Sequence, residues 1–243
     1  MTTAHGPQQA DGWTAAVRQR LGLGRLLPLG GPADGVWIAE RAAASVLRSA
    51  AAGPGAVLGR LRIGVAMEVD GTVLGVDGAD GDAGVPAPPS ALPSGPLRIE
   101  AEFAATADRP LPDAAEALRT ALMTAASARL GLLVTEVDLR VTGLLEDDTP
   151  DRVTAPAKDE VRAATDSGGA AGAAAAGVPG VVALTQVLGS AVHTGADHLR
   201  VEVATAGDHR ALDVARAVRT AVAAAVEGHP PVAVLVTAVV ERD

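Results

Sequence analysis

Cysteine and tyrosine are both absent from this 243-residue chain, and its other aromatic side chains are two Trp and one Phe. Without a thiol there is no disulfide and no thiolate metal site, and cysteine usage says nothing about the compartment. So few rings exclude the stacking platforms that hold bases or sugars. They also leave the core to Ala, Val and Leu, which bury less area per residue, so modest stability is expected. Basic residues are in deficit, with 20 Lys and Arg against 29 Asp and Glu and a net charge of −9. Broad nucleic-acid binding, which runs on clustered cations, is disfavoured by that balance. The opening residues Met1 to Pro7 show neither the basic start nor the apolar run of a secretory leader. Residues 167–196 lack any Asp, Glu, Lys or Arg, but they are mostly Ala and Gly with Pro179-Gly180 in the middle. Such residues contribute little to insertion, so a buried helix followed by a strand is expected there, not a membrane span.

What is present is a repeat. Leu97-Arg-Ile-Glu-Ala-Glu-Phe is followed by Ala117-Leu-Arg-Thr-Ala and then Val141-Thr-Gly-Leu-Leu-Glu. Leu199-Arg-Val-Glu-Val is followed by Ala217-Val-Arg-Thr-Ala and then Val236-Thr-Ala-Val-Val-Glu. Pro54-Gly-Ala-Val and Pro179-Gly-Val-Val precede the two copies. Periodicity assigns strand, helix and strand to each copy. The reading is an α+β fold of two tandem α-β-β-α-β modules, each a small three-stranded sheet packed on helices.

Residues 1–35 read as a flexible N-terminal segment. Within it, Trp13, Val17, Leu21 and Leu23 interleave with Arg18, Arg20 and Arg25 in a basic amphipathic stretch over 11–27. Residues 36–145 form the first module, opened by a helix over 36–52 that includes Trp37 and Ile38. A loop over 77–96, rich in Gly, Asp and Pro, interrupts that module and reads as exposed. Pro112-Asp113 opens its second helix, with Asp113 and Glu116 at capping-box spacing. Residues 146–156 read as an acidic linker, and 157–243 as the second module, with a helix over 157–176 and another at 209–227 capped by Asp208. In the last strand, the outward positions Asp138 and Arg140 of the first copy match Ala233 and Leu235 of the second, with Val239 beyond. A strand apolar on both faces must be covered on both. Leu235 and Val239 are therefore expected to contact the first module or another subunit.

Chemistry-bearing patterns are sparse. His193 and His198 lie five apart beside Asp197, a spacing that turn polarity explains as well as metal binding. Asp77, Asp80 and Asp82 lack the alternation and the late Glu of a calcium loop. Ser190, His193 and Asp197 come without a nucleophile elbow. Glu100 and Glu102 fall on the solvent side of a strand. No catalytic residue, cofactor site or metal site is therefore nominated. The candidate interaction residues are Trp13, Arg18, Arg20, Arg25, Leu235 and Val239.

The order α-β-β-α-β, with Val178-Pro-Gly-Val181, Leu199-Arg-Val-Glu-Val203 and Val214-Ala-Arg-Ala-Val-Arg-Thr-Ala-Val222, resembles the alkaline shock protein family of Gram-positive envelope stress response proteins. Ile38-Ala-Glu-Arg-Ala-Ala-Ala-Ser-Val-Leu resembles that family's opening helix. The resemblance implies a non-enzymatic scaffold or adaptor acting through a protein partner, a membrane-anchored one included, and forming homo-oligomers. It implies a cytoplasmic protein, peripheral at the inner face of the cell membrane. The chain departs from the common form in its tandem modules, its long loop and its basic N-terminal stretch. The alternatives are a small nucleic-acid-binding α/β protein and a soluble regulatory binding protein.

Overall fold

The computed structural model describes residues 22–54, 56–66, 85–107, 109–145, 163–165, 168–195 and 197–241. Trp13, Arg18, Arg20 and the acidic run Asp77–Asp82 lie outside them, as do residues 146–156. The fold is α+β, with four α-helices and nine strands in two sheets among the described residues.

Alternation builds the smaller sheet. Along β4 (Leu97–Thr106), Leu97, Ile99, Ala101, Phe103 and Ala105 are buried, while Arg98, Glu100 and Glu102 point the other way. Strand β3 (Ala56–Val65) pairs with it antiparallel and β5 (Val134–Leu145) parallel. The crossover between β4 and β5 is helix α2 (Leu111–Ala125), extended by one wide turn over Ala126–Leu130. Its buried stripe is Ala114, Leu118, Leu122 and Ala125. No side chain caps this helix: Pro110 holds the cap position, and Glu116 pairs with Arg119 one turn on, not with Asp113. The expected capping box is therefore not formed. Gly131 ends the segment with φ +91°, and a Cβ there would lie 2.5 Å from Leu212 Cβ. Only glycine allows that turn and that close approach together.

The second sheet corrects the expectation of three strands. Helix α3 (Gly169–Ala176), then β6 (Val181–Leu184), β7 (Val192–Thr194), β8 (Leu199–Ala206), helix α4 (Ala211–Ala225) and β9 (Val232–Val240) again place an antiparallel pair before a parallel one. Arg210, not Asp208, occupies the cap position of α4. The sheet, however, has six strands, because β1 (Leu26–Pro28) and β2 (Val36–Ala39) join it from the other end of the chain. Val36, Trp37 and Ile38 pair in parallel with Val234, Leu235 and Val236. These residues do not open a helix. Helix α1 starts only at Glu40 and runs to Ala51. Val-Trp-Ile-Ala is buried on both faces, which suits a central strand and overrides its helical spacing.

Residues 22–35 are accordingly not a flexible lead. Leu23, Leu26, Leu27 and Leu29 belong to the core. The tail of the 77–96 loop is fixed too: Leu26 exchanges backbone hydrogen bonds with Ser90 and Leu92, and Val85 is buried. One continuous apolar cluster runs from Leu23 to Val239 and unites both sheets.

Ion pairs lock the N-terminal strands in place. Asp34, in a short turn of 3-10 helix (Pro32–Asp34), accepts two hydrogen bonds of 2.8 Å from Arg216 of α4 and one from the Gly31 N–H. Arg219 donates to the carbonyls of Ala33 and Asp34 at 2.7 and 2.9 Å. The Arg216 hydrogen bonds hold the Asp34 carboxyl below its usual pKa against the opposing effect of burial, with help from Gly31. A carboxylate with a lowered folded pKa stabilises fully above its unfolded value and loses that contribution as pH falls through the folded one. Asp34→Asn is predicted to lower stability to urea by about 1 kcal/mol at neutral pH. The gap between the two proteins should hold down to about pH 5 and close in stronger acid, below about pH 4.

Candidate interaction surface

Two of the nominated residues turn inward. Leu235 is 1% exposed and Val239 8%, because β9 lies between β2 and β8. The contact expected for them is met inside the chain, by β2 and α1, and they offer nothing to an outside partner. Arg25 is engaged as well. Its guanidinium pairs with Glu40 at 3.0 Å and donates to the Ile63 carbonyl. Burial alone would push the Glu40 carboxyl up, but Arg25 and the Ile63 N–H together hold it below its usual value.

Pairing register also corrects the sequence match in the last strand. Ile99 faces Val137 and Glu100 faces Asp138, whereas Val201 faces Val234 and Glu202 faces Leu235. The counterpart of Asp138 is thus Leu235, two residues beyond the match by eye; further on, Arg140 faces Glu102, whereas Ala204 faces Ala238 across a bulge that takes in Thr237. The shift is even, so the face is unchanged.

With the register fixed, the same face of the two sheets can be compared row by row. Both sheets carry an Arg-x-Glu pair on the strand after the antiparallel turn, Arg98 with Glu100 and Arg200 with Glu202. In the larger sheet the face is closed. Strands β6 and β7 pair with one edge of β8, and residues 185–191 between them leave that edge and fold over the face. The Glu202 carboxylate, 0% exposed, accepts the N–H of Val187 at 2.7 Å and that of Leu188 at 3.1 Å. Beside it Thr185 and Thr237 share a buried hydrogen bond of 2.8 Å. Two backbone donors and Arg200 make a buried carboxylate tolerable, since an unpaired one costs several kcal/mol.

In the smaller sheet the face is open among the described residues. Strand β3 runs along β4 from Leu61 to Val65 without an excursion, pairing Arg62 with Glu100 and Val65 with Leu97. The Glu100 side chain is 58% exposed. Arg98 lies among Glu100, Glu136 and Asp138, and its hydrogen bond to Asp138 raises its pKa further. Arg62 stands where the covered sheet has Thr185, and Arg140 stands further along, opposite Glu102. These two arginines and Arg60 are exposed, with no ion pair or side-chain hydrogen bond among the described residues. The face forms a concavity of about 300 Å³ lined by these arginines, Glu100, Glu102 and Asp138.

The sequence reading placed Glu100 and Glu102 correctly on the solvent side, yet passed over the arginines around them. The signal was available: Arg60 and Arg62 lie two apart on one strand, and Arg140 has no charged counterpart in the second copy. Among the described residues, no three His, Asp or Glu side chains gather as a metal site, and no helix is long and apolar enough to cross a membrane. His193 is exposed on β7, and Ser190 is exposed in the covering segment. Comparison with known proteins adds no relative: no family model, no curated protein and no solved structure matches the chain.

The two glutamates predict opposite outcomes. Glu202→Ala should cost about 2–4 kcal/mol in urea unfolding and expose residues 185–191 to limited proteolysis, because two buried N–H groups lose their acceptor. Glu100→Ala should stay within about 0.5 kcal/mol of the parent.

Proposed function

We propose that the protein is a non-enzymatic scaffold or adaptor of the envelope stress response kind, working through protein–protein contacts at the cytoplasmic side of the cell membrane. The observation that carries this reading is the open, charged face of the β3-β4-β5 sheet. Exposed ion pairs contribute little to stability, so a face that displays four arginines over a rigid sheet is poorly explained by folding needs. The alkaline shock resemblance points the same way, toward a protein whose surface rather than a pocket chemistry is its working part. Binding surfaces on rigid elements lose little conformational entropy when a partner docks.

The experiment is recovery of the tagged full-length chain from reversibly cross-linked cells of its host, with soluble and envelope fractions kept apart. The reading expects a discrete protein in fixed stoichiometry, enriched in the envelope fraction. A chain recovered alone from both fractions would overturn it.

A further inference from the structure

The chain contains its own example of how such a face is filled. In the larger sheet a seven-residue excursion, Thr185 to Ala191, sits on the face and gives two consecutive backbone N–H groups to the glutamate of the Arg-x-Glu pair. In the smaller sheet the same glutamate, Glu100, stands in the same row with its carboxylate toward solvent, and β3 supplies no such excursion.

We propose that the outer face of β3-β4-β5 is the docking site for a loop of a partner protein that carries acidic side chains, seated as residues 185–191 are seated on the other sheet. This deepens the scaffold reading and rests on it. Glu100 takes two adjacent backbone N–H groups of the incoming loop. Arg60, Arg62 and Arg140 take its carboxylates.

The occupant's charge follows from the ion pairs already made. Glu100, Glu136 and Asp138 gather on Arg98, so the four arginines and four carboxylates of the face balance in number, but among the described residues the groups left without an ion pair are Arg60, Arg62 and Arg140 against Glu102 alone. Arginine is suited to the task, since its planar fork matches a carboxylate with two donors. Where the larger sheet needs no such charge, Thr185 takes the place of Arg62 and bonds to Thr237 of β9. The concavity of about 300 Å³ has room for a turn of a few residues and not for a folded domain.

The probe is a fluorescein-labelled cyclic peptide holding Val-Leu-Gly-Ser, the sequence of the covering segment, with two Asp on each side. Its counterpart has Lys in place of every Asp. Binding to the full-length chain is read by anisotropy. The proposal expects the Asp peptide to bind and the Lys peptide not to. Affinity should fall at least tenfold in Arg60→Ala/Arg62→Ala/Arg140→Ala and several-fold in Glu100→Ala. It should also weaken as salt rises from about 50 to about 500 mM.

Thermal melts and native mass of the same proteins separate the other occupants. A triple variant that melts lower while the parent binds no peptide would mean the arginines are used within the chain. A parent that self-associates, with the variant monomeric and no peptide bound, would assign the face to a second copy. Equal binding of the two peptides, or equal binding to parent and variant, would remove the acidic loop. Each of these results overturns the proposal. If the triple variant still recovers the parent's stoichiometric partner from cells, this face is wrong while the scaffold reading stands. If the parent recovers no partner, the scaffold reading fails first.

Discussion

The parallel pairing of β2 with β9 is the contact on which the rest of the structure depends. It carries a strand from the first forty residues into the sheet built by the last seventy-five. Once β2 is there, β9 becomes an interior strand, and an apolar sequence on both its faces is what that position requires. The turn between β1 and β2 lies against α4, where Arg216 and Arg219 hold Asp34 and the neighbouring carbonyls. Helix α1, which follows β2 directly, is thereby set between β9 and the smaller sheet, and the two sheets share one core. Closing a loop of this length costs little more than closing a short one, so the long-range pairing carries only a small entropic penalty.

From that interlock follows an inequality between halves that look alike in sequence. Each has an Arg-x-Glu pair on the same face of the same strand. In one, a short excursion of the neighbouring strand buries the glutamate and uses it as an anchor. In the other, the neighbouring strand stays paired past the glutamate, with a bulge only at residues 59–60, and the glutamate remains in water. The energetic meaning of the two differs accordingly. A buried carboxylate held by backbone donors makes the loop above it part of the fold, whereas exposed charges on a sheet face contribute little to stability. The open face with its four arginines is the surface we propose for a partner.

Much of this was legible in the residues. Alternation gave β4 and β8, the apolar stripe gave α2 and α4, and the order of elements around them came from the repeat. Three things were hidden. Val36 to Ala39 carries helical spacing because it adjoins a helix, and only its distant partner β9 makes it a strand. Arg25 reads as a free cation in a basic stretch, but Glu40 lies beside it in space at the start of α1. The covered face of the larger sheet depends on an excursion between β6 and β7, which local pattern does not tell from a continuous strand. Each miss concerns a contact distant in sequence, where local pattern has no information. The Trp13, Arg18 and Arg20 end of the basic stretch lies outside the described residues and enters none of these comparisons.

Hydrogen–deuterium exchange on the intact chain, resolved to single amides, tests the interlock most directly. Amides of β2 and β9 should exchange in one slow class, with the same opening free energy, because neither strand can open without uncovering the shared core. Fast, independent exchange of Val36 to Ala39 while β9 stays protected would contradict the account, since the N-terminal strand would then be an appendage and not a member of the sheet.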